Sequence, residues 1–183
     1  DDPSVMSVFD SAGLSSRAYA HTAGQPWPTV REIIESGKQL VVLSDNTDGN
    51  GWYMKMWEHA VDTHYSNYGV YDFNNDFYRG DSENPLYIVN HFITDETLGI
   101  GVEDAAGYVN GNPFFLDRML TAWRVMEKKP TYPTVDFFDI GNVRAGCDIL
   151  NSISFEQVQE GLIAHFPLDE NAVGTGIANW NGN

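Results

Sequence analysis

The chain has 183 residues, enough for one domain with a substantial core, and its 42% hydrophobic and 13% aromatic content belongs to a folded protein. Ten Lys and Arg against 26 Asp and Glu give a formal net charge of -16, a field that disfavours nucleic acid and anionic membrane surfaces as partners. No apolar stretch reaches the ~20 residues that span a bilayer, and the single cysteine, Cys147, excludes an internal disulfide framework.

In chain order, residues 5–14 predict a short helix ending at Gly13. The stretch PWPTVREIIESGK follows with a full set of helix signals. Thr29 and Glu32 have capping-box spacing, Val30, Ile33 and Ile34 share a face, and Gly37 supplies the stop. A strand at Leu40–Leu43 runs into the loop Ser44–Gly51, rich in Asp, Asn and Gly, and a helical pattern covers roughly Tyr53–Val61. Residues 65–84 read as irregular, and LYIVNHF (86–92) as the next strand. Asn112-Pro113 offers an N-cap and a proline at the first helical position; the helix beyond sets Phe115, Met119, Trp123 and Met126 in one stripe. TVDFFDI (134–140) predicts a further strand, and Asn142 can cap a helix through Leu150.

This alternation argues for parallel βα units over residues 28–151, whose strands end in Ser44-Asp45, Asn90-His91, Asp136 and Asp139. In parallel α/β folds the carboxyl ends of the strands form the active face. Strands covered on both faces read as apolar runs, so burial should be deepest at Val41, Val42, Ile88, Val89 and Val135. So few strands form only part of a closed barrel and leave unpaired edges. The expected completion is polypeptide outside this chain: an N-terminal half, another copy or a neighbouring protein. Residues 39–44 and 134–138 are the expected contacts.

The stretches WPTVREIIESGKQLVVLSD, YRGDSENPLYIVNHF and NGNPFFLDRMLTAWRVMEKKPTYPTVDFFDIGNVRAGCDILN, in this order over roughly residues 5–151, resemble the phosphatidylinositol-specific phospholipase C X-domain-like phosphodiesterases. The resemblance implies an α/β fold, a partial TIM-like (β/α) barrel of which only the last strands and helices are present. It implies cleavage of a phosphodiester, such as that of an inositol lipid. In that family one histidine is the general base, a second the general acid, and an arginine neutralises the phosphate. Those groups lie in the N-terminal half of the family pattern, before the part that this chain resembles.

On the catalytic side the resemblance implies Asp136, in the last barrel strand, where the family carries an aspartate that orients the general-base histidine. His91 and Asn90 fall in the family-like VNHF at the barrel mouth, and Asp139 fits better as a helix cap. On the substrate side it implies Arg79, in the Arg-Gly before VNHF, and Asp45, which stands where bacterial members place a basic residue near the phosphate. A carboxylate there repels a phosphodiester unless a cation intervenes. Asn46, Asp48, Asn50 and Gly51 follow the spacing of the first half of an EF-hand loop, which makes Asp45, Asp48 and Asn50 candidate Ca2+ ligands; Glu58 comes one place late for the bidentate acid, and a plain turn explains the same residues.

The chain divides into a lead-in helix and connection (1–27), the barrel part (28–151), and a connector with a tail (152–183). The tail, GLIAHFPLDENAVGTGIANWNGN, resembles the opening of a laminin-G or concanavalin-like module, which implies a secreted, extracellular, multidomain parent. Two functions compete. One is the C-terminal portion of a secreted phospholipase C-like phosphodiesterase, inactive without its histidine-bearing half. The other is a non-enzymatic structural or binding module of an extracellular assembly.

Overall fold

The structure, a computed structural model, describes residues 2–46 and 49–161. Asp48 and residues 162–183, nearly all of the stretch expected to open a laminin-G or concanavalin-like module, lie outside the described residues. Helix α1 (Asp2–Ser11) rests Phe9 against Trp52, ring centroids 5.1 Å apart, and leads to β1 (Ala18–Tyr19). Helix α2 (Val30–Glu35) forms as its capping box requires. Thr29 Oγ1 accepts from the Glu32 N–H at 3.2 Å, and the Glu32 carboxylate accepts from the Thr29 N–H at 2.7 Å. The Glu32 carboxyl is held below its ordinary pKa by these bonds to Thr29. Gly37, at φ +79, ends the turn in the left-handed conformation that glycine adopts without strain.

β2 (Leu40–Ser44) then lies parallel between β1 and β3 (Tyr53–Lys55) in a three-stranded sheet. A four-stranded sheet follows, in the order β5 (Phe77–Arg79), β4 (Ala60–Thr63), β6 (Leu86–Asn90), β7 (Tyr132–Thr134). Its parallel registers set Asp62 opposite Ile88 and Asn90 opposite Thr134. The sheets do not close into a barrel, and the fold is a partial, mixed α/β one. Helices α3 (Glu103–Val109), α4 (Phe114–Met126), α5 (Val143–Ser152) and α6 (Phe155–Gln159) complete the described chain. The core joins Val61, Tyr87 and Val89 of the larger sheet to Phe115, Met119 and Trp123 of α4, with Leu150 and Val158 closing it from α5 and α6. The predicted stripe of α4 is this buried face, with Met126 packed at its margin.

Several sequence expectations are corrected. The helix expected over Tyr53–Val61 is two strands joined by a 3-10 turn at Met56–Glu58. All four residues of β4 are buried, so its Asp62 breaks the apolar run that would have marked a strand. Residues 28–151 are not wholly parallel, because β5 runs antiparallel to β4. Only a 3-10 turn, Val70–Asp72, lies between them, and without a helical crossover the chain returns beside the strand it left.

The strand expected at 134–140 stops at Thr134. Phe137 sits at φ +51, outside extended backbone, and Asn110 Nδ2 donates to the carbonyls of Asp136 (2.9 Å) and Phe137 (3.2 Å) in place of a ladder partner. Asn112 does not cap α4: Pro113 takes the N-cap position, and the side chain of Asn112 donates instead to the Asn142 carbonyl.

Burial is also redistributed. Of the five residues expected deepest, only Val89 is sealed; Val42, Ile88 and Val135 are half-buried and Val41 is exposed. Val30 and Ile34 of α2 are likewise open to solvent.

Candidate functional site

Asp62, at the carboxyl-terminal part of β4, is fully buried and lies across the β4–β5 pair from Arg79. A buried carboxylate is tolerated only when its oxygens are engaged. Asp62 Oδ1 accepts from the Arg79 backbone N–H at 2.9 Å. Its Oδ2 accepts from Arg79 Nη2 at 2.6 Å, Nε at 3.1 Å and Asn90 Nδ2 at 3.2 Å. Asn90, the last residue of β6, is fixed in turn by donating to the Thr63 carbonyl (2.6 Å) and to Thr63 Oγ1 (3.0 Å). Two neighbouring parallel strands therefore aim one arginine.

Gly80 makes the approach of β5 feasible. At φ +81 it occupies backbone space where a Cβ would stand 2.0 Å from the Ala60 carbonyl oxygen. This is the physical content of the Arg-Gly pair noted in the sequence.

The guanidinium reaches out of this cradle toward β2. Its Nη1 donates to Asp45 Oδ2 at 3.3 Å, and Trp57 Nε1 donates to the other Asp45 oxygen. Arg79 Cζ lies 4.2 Å from the Trp57 ring centroid and 4.5 Å from that of Tyr65, so aromatic faces pack against it. Burial alone would lower the arginine pKa; the hydrogen bonds and charge of Asp62, then Asp45 and Tyr65, outweigh it and raise it above the ordinary value. Asp62 is sealed while the Arg79 side chain is 34% exposed and Asp45 46%. The site is a cation anchored from below and reachable from outside. The structure thus unites the two residues expected on the substrate side, Asp45 and Arg79, with Asn90.

His91 is different. Its ring is fully buried, stacked on Phe73 at 4.9 Å and edge-on to Phe115 at 5.4 Å. Nε2 donates to the Val109 carbonyl at 2.7 Å, which fixes the neutral tautomer and leaves Nδ1 inside without a partner. Burial draws its pKa down to about 4, and Arg118 adds to the effect. Sealed in this way, the His91 imidazole is shut off from solvent and stays neutral near pH 7.

Arg118, on α4, is itself buried and donates through Nη2 to the carbonyls of Asn74 (3.1 Å) and Asn90 (3.2 Å). With burial holding its pKa down to about 10, it staples the loop after β4 to the end of β6.

Asp136 follows β7, and among the described residues no hydrogen bond or ion pair joins it to Arg79. Its Oδ2 lies against Gly101, where a Cβ would be only 2.3 Å distant, and among the described residues its carboxylate accepts no hydrogen bond. Asp139 is exposed in the turn before α5. As for Ca2+, Asp45 is engaged with Arg79 and Trp57, and Asn50 Nδ2 contacts Met6 Sδ at 3.6 Å. Among the described residues no group of three or more His, Cys, Asp or Glu side chains converges to hold a metal.

His21 stacks on Trp27 at 4.1 Å with His59 nearby, and burial lowers the His59 pKa. His64 packs between Tyr65 and Tyr78, and its Nδ1 accepts the Ser66 N–H at 3.1 Å.

Sequence reasoning missed Asp62, Trp57 and Tyr65. The signal for Asp62 was an acid inside AVDT, a β-rich tetrapeptide, 17 residues before an Arg-Gly. Nothing local announces Trp57 or Tyr65, which earn their place only through contact with Arg79.

Neither the curated proteins nor the solved structures compared with this chain contain a match. The family model described as PI-PLC X 1 matches residues 4–151, which takes in every residue of the Arg79 cluster. The chain belongs to the phosphatidylinositol-specific phospholipase C X-domain family.

Proposed function

We propose that Arg79 is a second seat for the phosphate of a phosphodiester substrate, beside the arginine expected from the N-terminal half, in the C-terminal portion of a secreted phospholipase C-like phosphodiesterase acting on inositol lipids or related diesters. The observation that carries this is the aim of the guanidinium: Asp62, itself held by Asn90, grips it from inside at the strand ends, while the side chain stays 34% exposed and its outer edge meets Asp45 at 3.3 Å. A fixed arginine at such a place stabilises phosphate charge without reorganising. The proton-transfer histidines come from polypeptide outside this chain, and Asp136, with an unengaged carboxylate beside Gly101, orients one of them. The exposed Val41 of β2 and Tyr132 and Phe138 around β7 suit a covering protein segment. The secreted, multidomain setting rests on the laminin-G-like tail.

On this reading the isolated chain hydrolyses neither phosphatidylinositol nor a simple phosphodiester. The test is product release from phosphatidylinositol vesicles by the purified chain. Turnover abolished by His91→Ala or His64→Ala would overturn the assignment of both histidines to outside polypeptide.

A second reading keeps the barrel part as a non-enzymatic binding module. It is favoured by the two carboxylates that already balance Arg79 and by the sealing of His91. Failure of a phosphodiester to bind at Arg79 would leave this reading standing.

A further inference from the structure

Arg79 has more acid around it than its charge requires. Asp62 alone accepts three of its N–H groups, counting the backbone, and is itself sealed from solvent. Asp45 adds a single longer contact at Nη1, from an exposed loop position, and is held in place by Trp57. One guanidinium against two carboxylates leaves the cluster with a surplus negative charge. The two acids cannot have the same task. Asp62 is inaccessible and aims the arginine, while Asp45 occupies the edge of the guanidinium that an incoming anion would need.

We propose that Asp45 is the charge-selecting residue of this seat: an internal anion on the outer edge of Arg79 that admits a singly charged phosphodiester and rejects a doubly charged phosphomonoester. This rests on the reading of Arg79 as a phosphate seat. An incoming phosphate must displace the Asp45 oxygen from Nη1, yet Asp45 stays nearby on its loop. Each negative charge on the ligand then meets that carboxylate at a separation of several ångströms. Doubling the ligand's charge doubles both its attraction to the one guanidinium and its repulsion from the two carboxylates, and because the cluster carries a surplus negative charge the balance turns further against the dianion. Because Asp45 is half exposed, solvent screens much of this, and the discrimination that survives is about ten-fold. The same carboxylate can accept a hydrogen bond from a hydroxyl on the alcohol arm of a diester, so the favoured ligands are diesters with uncharged, hydroxyl-bearing arms.

The experiment follows the Arg79 Nε–H resonance by 15N NMR in the full chain at pH 8, assigned by its loss in Arg79→Gln. Dimethyl phosphate, a monoanion, and methyl phosphate, a dianion, are titrated into wild type, Asp45→Asn and Asp45→Ala. Wild type is expected to prefer dimethyl phosphate about ten-fold, and both variants to lose that preference, mainly by binding methyl phosphate more tightly. Asp45→Asn keeps an acceptor for Trp57 and so separates charge from local structure. An unchanged preference in both variants would overturn the role of Asp45 while leaving Arg79 as a phosphate seat. No response of Arg79 to either ligand, in any of these proteins, would overturn both.

Discussion

Lowering the pH should expose His91 as a core residue and not as an acid–base group. Its folded pKa is pulled down to about 4, chiefly by burial, against about 6.5 for the unfolded side chain. Between those values the unfolded chain binds a proton that the native chain refuses, so stability falls as pH drops from about 6.5 to about 4. Above that window the neutral ring is undisturbed in either state. The gap corresponds to about 3 kcal/mol, a large share of the stability of a typical domain. Two assays read it. Imidazole 15N chemical shifts of His91 should remain those of the Nε2–H tautomer down to about pH 5, and the urea midpoint should fall across the window. His91→Phe, which keeps a ring beside Phe73 and Phe115, should flatten that fall, whatever it does to stability at pH 7. A His91 resonance titrating near pH 6.5, or an unchanged pH dependence in His91→Phe, would refute the burial argument and restore His91 as a catalytic candidate.

Gly80→Ala should destabilise the chain by about 2–4 kcal/mol in urea unfolding, since the added methyl meets the Ala60 carbonyl at a positive φ; a change under 0.5 kcal/mol would show that β5 can move away freely. Asp62→Ala removes the acceptor of four hydrogen bonds, and because Arg79 retains solvent access the expected loss is about 2–3 kcal/mol, measured the same way. The Arg79 Nε–H should at the same time exchange faster with water, an effect that a purely packing role for Asp62 would not produce. Thr29→Ala breaks the capping box of α2 and should cost about 1 kcal/mol, read as lost amide protection over Val30–Glu35.

Where local chemistry decides the structure, the sequence is legible. The Thr29–Glu32 capping box, the glycine stop at Gly37 and the apolar stripe of α4 depend on residues within a few turns of one another, and each is found as read. Reading fails where long-range contacts override local preference. Asp62 interrupts the pattern of β4 because its charge is answered by Arg79, across a hairpin whose irregular loop gives no sign of returning. TVDFFDI loses most of its strand because Asn110, far along the chain, captures the carbonyls of Asp136 and Phe137. Helix α3 escaped notice in a polar, glycine-bearing stretch with no side-chain cap, whereas α6 carried a Ser154–Gln157 capping box inside what read as a connector. At the site, Asp45 and Arg79 were singled out separately, each from its place in the family pattern. That they form one cluster, with two carboxylates on one guanidinium, follows only from the meeting of the two sheets.

The phosphate seat at Arg79 is the claim on which the rest depends, and 31P NMR of glycerophosphoinositol titrated with the full chain tests it most directly. The expected result is saturable broadening and shift of the phosphorus line in wild type, both lost in Arg79→Gln with the fold intact by amide spectra. Identical phosphorus spectra with wild type and Arg79→Gln would contradict it.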